Sequence, residues 1–202
     1  MSDIATRRVL VVGITGLKAA GKDEISRYLT ELGFANRSCG DEIRAQLKRD
    51  GIATPTVDQQ IELGNRGRLD NNDLGYWAKR VATTLRAMNH DLCCVNGLRH
   101  PAEHDALKAE FGDGFVLIGV VAPTSVRATR LLSRGRPGDP RTIEEFLALD
   151  DKDRGIGQPW HGQQVDRTLA CCHWSHIRDN QGTLDELRSW LDGILAEKGF
   201  VR

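Results

Sequence analysis

The stretch VLVVGITGLKAAGKD, from Val9 to Asp23, constrains this chain more than any other part of it. The apolar run Val9 to Ile14 is β-branched and too short for a helix, so it reads as a buried strand that ends at Thr15-Gly16. It leads without a break into Gly16-Leu17-Lys18-Ala19-Ala20-Gly21-Lys22-Asp23, a G-x-x-x-x-G-K pattern, and Ile25, Tyr28, Leu29 and Leu32 then recur at helical spacing. Strand, loop and helix in that order make a phosphate-binding loop. Small residues let backbone N–H groups converge on an anion, the helix N-terminus adds its dipole, and Lys22 brings a charge for the β- and γ-phosphates of a nucleoside triphosphate. Gly16, Lys18, Ala19, Ala20, Gly21, Lys22 and Asp23 are therefore the expected ATP-binding residues. At Asp23 a Ser or Thr would ordinarily place a hydroxyl on Mg²⁺; a carboxylate also holds magnesium, directly or through water, while adding negative charge beside the phosphates.

Beyond the loop, strands and helices alternate. Gly33 ends the first helix before a short strand, Phe34 to Ser38, and Asp41 reads as an N-cap. Glu42 to His90 is helical, with breaks expected at Gly51 to Pro55 and Gly64 to Gly75. Leu92 to Asn96 is a third strand, Pro101 opens a helix, and Phe115 to Val121 is the most apolar strand. Ser125 to Ser133 is helical, Thr142-x-x-Glu145 and Thr183-x-x-Glu186 are capping boxes, and Trp174 to Arg178 fits a last strand. Near-continuously apolar strands separated by helices imply an α/β fold: a three-layer α/β/α sandwich around a mainly parallel five-stranded sheet, in one domain over 1–202.

In such a sheet ligands gather at the C-terminal ends of the strands, which selects further candidates. Asp41 follows the second strand and either orients or deprotonates an acceptor hydroxyl or only caps its helix. Arg99 follows the third and is placed to grip an acceptor phosphate. Asn96 stands where a Walker-B-like Asp is expected, so metal ligation falls to Asp23 and Asp41. Residues 127–141 hold five arginines and one acid, a net +4, among Gly135, Pro137, Gly138 and Pro140; residues 142–153 hold five acids and Lys152, a net −4. Flexible, arginine-rich segments suit a lid that closes over a triphosphate, and the acidic helix after it is expected to anchor the lid's arginines.

With these residues in place, the chain resembles the P-loop nucleoside and nucleotide kinase group, and within it the dephospho-CoA-kinase-like and deoxynucleoside-monophosphate-kinase-like proteins. The matching stretches are GLKAAGKDEISRYL, SCGDEIRAQLKRDGIATPT, IELGNRGRL, NGLRHPAEHDALK, RLLSRGRPGDPRTIEEFLALD and IRDNQGTLDEL, spread from Val9 to Leu195. Asp23, Asn96 and the pair Arg66-Gly67 differ from the usual pattern. The resemblance implies ATP- and Mg²⁺-dependent phosphoryl transfer to a small acceptor, with Lys22 at the donor phosphates and Asp41 beside the acceptor. It implies that Arg44 and Arg68, in a helical acceptor-binding region over 42–90, and Arg99, after the third strand, face the acceptor. Arg130, Arg134 and Arg136 belong to the lid region over 127–153, and Asn180 matches a position near the donor adenine. The expected acceptor is a (deoxy)nucleoside monophosphate; the alternatives are dephospho-CoA, a modified nucleotide, including one within DNA, or a nucleotide-binding regulator without transferase activity.

Composition excludes more than it assigns. Lys+Arg and Asp+Glu are equal at 28 each, so no global basic excess drives binding to nucleic acid or to an anionic membrane. The longest apolar runs are strand-length, and no secretory signal is visible, which gives a cytoplasmic expectation. Five cysteines in neither C-x-x-C nor disulfide-framework spacing read as reduced thiols, and Cys171, Cys172, His173 and His176 read as packed residues on a strand rather than a zinc site. Trp160-His161 either contacts a base or covers a loop.

Overall fold

The computed structural model describes residues 9–135 and 138–200. Its five strands, β1 (Leu10–Gly16), β2 (Ala35–Ser38), β3 (Leu92–Leu98), β4 (Phe115–Val121) and β5 (Ile177–Asp179), form one sheet in the order β2-β3-β1-β4-β5, and every pairing is parallel. The strand that carries the phosphate loop is thus central and buried along its whole length.

Nine helices surround it among the described residues: α1 (Lys22–Glu31), α2 (Cys39–Arg49), α3 (Val57–Asp70), α4 (Tyr76–Met88), α5 (Pro101–Phe111), α6 (Thr124–Arg134), α7 (Ile143–Arg154), α8 (Val165–Leu169) and α9 (Leu184–Glu197). Alternate residues of β1 sort the layers. Leu10, Val12 and Ile14 pack with Ile25 and Leu29 of α1 and Leu191 and Leu195 of α9; Val11 packs on the other face with Trp77 and Val81 of α4 and Leu107 of α5. This is the expected three-layer sandwich.

Several local expectations change. Ser38, not Asp41, is the N-cap of α2: its hydroxyl accepts from Asp41 N at 3.0 Å, which puts Asp41 on the third residue of the helix. The break expected from Gly64 begins only after Asp70, because α3 runs through Gly64 and Gly67. Gly67 lets it close on Trp77, because a Cβ there would lie 2.5 Å from the indole, and the Trp77 Nε1 donates to Gly64 O at 2.9 Å. Tertiary packing overrides helix propensity there. Trp174–His176 is a 3₁₀ turn and only Ile177–Asp179 pairs with β4, so Cys171 to His176 is not a strand. The Thr183 capping box forms with both bonds, whereas at α7 Thr142 caps Glu145 N while the Glu145 carboxylate takes Arg141 N instead.

Candidate phosphate-transfer site

The phosphate loop leaves β1 at Gly16, where φ is +142° and any Cβ would collide with Val120 O of β4. Glycine is required there. At the far end, Gly21 has φ +120°, and a Cβ would strike the Asn180 side-chain amide, which donates to Ala20 O at 2.8 Å. Lys22 Nζ curls back onto Gly16 O at 2.6 Å and Leu17 O at 2.8 Å. Burial pushes the Lys22 ammonium down to about 8; Asp153 opposes the shift and Arg99 adds to it. Lys18 is shifted down by the same cause, with Asp153 again opposing.

Two cavities open at the C-terminal edge of the sheet. One, of about 660 Å³, is lined by the phosphate loop, Arg130, Arg134, Asn180 and Leu184. The other, of about 340 Å³, is lined by Ser38, Arg44, Gln60, Asn65, Arg68 and Asn96, with Ile43 and Ile61 as apolar wall. Lys18, Lys22, Asp23 and Arg99 line both. The cavities meet across these four residues.

The expected residues divide between them. Arg130 hydrogen-bonds Ala19 O at 3.4 Å and Asn180 O at 2.9 Å, and Arg134 is paired with Asp139. Arg136 lies outside the described residues. Arg44 bonds Asp41 at 2.6 Å and Gln60 at 3.2 Å; Asp41 also receives the Ser38 hydroxyl at 2.8 Å and does not itself line the smaller cavity. Arg68 is buried, bonded to Glu103 at 2.7 Å and to His161 O at 3.2 Å, while its Nε and the Asn96 Oδ1 are buried without a protein partner. The Trp160-His161 segment covers this side through its backbone: His100 and Gln164 side chains both meet Trp160 O, and the Trp160 ring is exposed. Among the described residues no group of three or more His, Cys, Asp or Glu is placed to hold a metal, Cys171 to His176 included. Nor is any helix long and apolar enough to cross a membrane.

Two acidic residues were not singled out by sequence reasoning. Glu103, on the first turn of α5, receives Arg99 N at 2.8 Å, His100 N at 3.3 Å and Arg68. Asp153, on α7, bonds Arg99 at 2.8 Å and lies 3.6 Å from Lys18. The only sequence signal was the excess of acid over 142–153. Asp150 forms a buried pair with Arg127 of α6, whereas Asp153 turns to the phosphate loop and the end of β3.

No family model matches the chain. A UPF0200 protein of Methanosarcina mazei is 30% identical over 187 residues, covering 92% of this chain and 94% of the relative. This chain belongs to the UPF0200 family. A second member, from Methanoculleus marisnigri, is 30% identical over 191 residues, 94% of this chain and 97% of its own length. Among solved structures, the UPF0200 chain is similar to TT1252 from Thermus thermophilus, with a TM-score of 0.57 and 17% identity over 94% of this chain and 98% of that one. It is also similar to shikimate kinase from Acinetobacter baumannii in complex with shikimate, with a TM-score of 0.53 and 18% identity over 96% and 97%. The fold of this chain is a P-loop-kinase-like three-layer α/β sandwich.

Proposed function

We propose that this protein is an ATP-dependent kinase that transfers the γ-phosphoryl group to a small nucleotide-like acceptor, of which a (deoxy)nucleoside monophosphate is the favoured class. The observation that carries this reading is the junction of two cavities at Lys18, Lys22, Asp23 and Arg99, with the phosphate loop on one side and a cationic pocket on the other. A triphosphate in the larger cavity directs its terminal phosphate to the junction, and an acceptor in the smaller one meets it there.

Arg44, Arg68 and Arg99 favour an anionic acceptor. Gln60, Asn65 and Asn96 add amide donors and acceptors to the lining, which suits an acceptor with polar groups besides its phosphate. An oxygen of the acceptor bonds to the γ-phosphorus as the bond to the bridging oxygen breaks, and ADP leaves with that oxygen's electron pair. Lys22, Lys18 and Arg99 balance the charge on the transferring group. A monophosphate oxygen is largely ionised at neutral pH, its second pKa being about 6, and needs no base. Asp41 then serves by orienting Arg44, and it would act as a base only on a hydroxyl acceptor.

The carboxylate of Asp23, on the wall of both cavities, is the hard oxygen donor that suits Mg²⁺. When bound, Mg²⁺ would neutralise charge on the phosphate oxygens. Asp23 is the residue that would hold it, since it lines both cavities and Asp41 lines neither. Arg130 and Arg134 would close the donor side as a lid.

ADP release measured across nucleoside monophosphates and dephospho-CoA tests the reading. Turnover stimulated by a monophosphate is expected, with Asp41→Asn raising the KM for the acceptor and leaving kcat nearly unchanged. Stimulation by dephospho-CoA alone, lost in Asp41→Asn, would transfer the assignment to a hydroxyl acceptor, and no stimulation by any acceptor would leave only a nucleotide-binding regulator.

A further inference from the structure

Asp153 is 1% exposed and lines neither cavity, so it does not meet a ligand in either. Its two cationic partners, Arg99 at 2.8 Å and Lys18 at 3.6 Å, line both. Burial alone would push its carboxyl up, but Arg99, then Lys18 and Lys22, outweigh that and hold it below the ordinary range. It is therefore a buried anion next to the cations that a ligand phosphate would use.

The helix that carries it has further ties, among them an ion pair of Arg154 with Asp166 of α8 at 2.9 Å. Phe146 of α7 packs with Ala128 and Leu131 of α6 and with Ala19 of the phosphate loop, and Asp150 is paired with Arg127, whose Nε donates to Ala122 O just past β4. Arg99 in turn also bonds Gln163 at 3.0 Å and receives Gln164 N on its carbonyl at 2.7 Å. The Phe146 contact with Ala19 is apolar packing; among the charged and polar ties, the Asp153 one runs through groups that a ligand phosphate would contact.

We propose that Asp153 is a positioning residue that holds Lys18 and Arg99 at the junction and yields them to ligand phosphates, so that filling the phosphate site loosens α7. This rests on the reading of 16–23 as a phosphate site. A phosphate oxygen and the Asp153 carboxylate compete for the same N–H donors, and competition of this kind is reciprocal: if phosphate weakens the α7 tie, removing the tie strengthens phosphate binding by the same factor. The coupling expected of such a pair is about fivefold or more.

Hydrogen exchange of the full chain, with and without inorganic tripolyphosphate, tests this in the wild type and in Asp153→Asn. Tripolyphosphate is expected to slow exchange over 16–31 and to speed it over 143–154 in the wild type. Ligand-free Asp153→Asn should already exchange fast over 143–154, show no further rise there, and bind tripolyphosphate about fivefold more tightly. Slowed exchange over 16–31 with unchanged or slower exchange over 143–154 in the wild type overturns the proposal, and this arm does not depend on the variant folding. Weaker binding by a folded Asp153→Asn also overturns it, because a residue that merely stiffens the site would behave so. No effect over 16–31 would overturn the phosphate-site reading itself, and the handover with it.

Discussion

Asn180 and Ala20 lie 160 positions apart, and the side-chain amide of the first donates to the carbonyl of the second at 2.8 Å. The bond joins the loop after β5 to the last turn of the phosphate loop. Arg130 extends it by donating to Asn180 O, so one asparagine connects the phosphate loop, β5 and α6. Asn180→Asp sets a carboxylate against the Ala20 carbonyl and leaves that carbonyl without a donor. It should cost about 1–3 kcal/mol in urea unfolding and weaken ATP binding. An unchanged unfolding midpoint would mean that the bond does not hold the loop.

The Arg127–Asp150 pair is buried and bidentate, its second bond being 2.8 Å long. Asp150→Ala strands a buried guanidinium and should cost about 3–5 kcal/mol, whereas replacing both partners by apolar residues should recover most of that loss. Denaturant midpoints of the two single variants and the double variant check this. A double variant no more stable than Asp150→Ala would show that the charges themselves are needed.

His100 caps α5 by accepting from Ala102 N at 3.1 Å on Nδ1, and its Nε2 meets Trp160 O at 3.1 Å, so the neutral ring donates from Nε2. Burial shifts its pKa below 6.5, with the Trp160 carbonyl opposing the shift. The folded state therefore binds this proton less readily than the unfolded state. Above about pH 6.5 neither state is protonated and nothing is lost; as pH falls below that value toward the folded pKa, stability declines. His100→Asn keeps a capping acceptor and does not titrate, so its urea midpoint should fall less between pH 7.5 and pH 5 than that of the wild type. Equal falls would place the sensitivity elsewhere.

The parts of the site legible in the sequence were those built from neighbours in the chain. Gly16 to Asp23 is one turn between a strand and a helix, so its spacing carries its geometry. Arg99 was selected because strand ends in a parallel sheet converge, whereas Asn180 came only from the family resemblance. Asp41 was misplaced as a cap because Ser38, three residues earlier, offers the shorter reach to the free N–H of the first turn. Gly64 and Gly67 read as a break, but at Gly67 the missing side chain leaves room for Trp77 inside a continuous helix. Asp153 was not legible: its partners are fixed only once β3, the phosphate loop and α7 are packed together, and nothing in the spacing of an acidic helix says which cation it will meet.

The claim that the two cavities form one transfer site is tested most directly by following phosphorus. ³¹P NMR of the protein with ATP, Mg²⁺ and a panel of nucleoside monophosphates should show the γ-resonance decline as ADP and the acceptor's new diphosphate appear together, and Lys22→Ala should abolish both. ATP bound at 16–22 with no phosphorus passing to any acceptor, or free phosphate as the sole product, would contradict it.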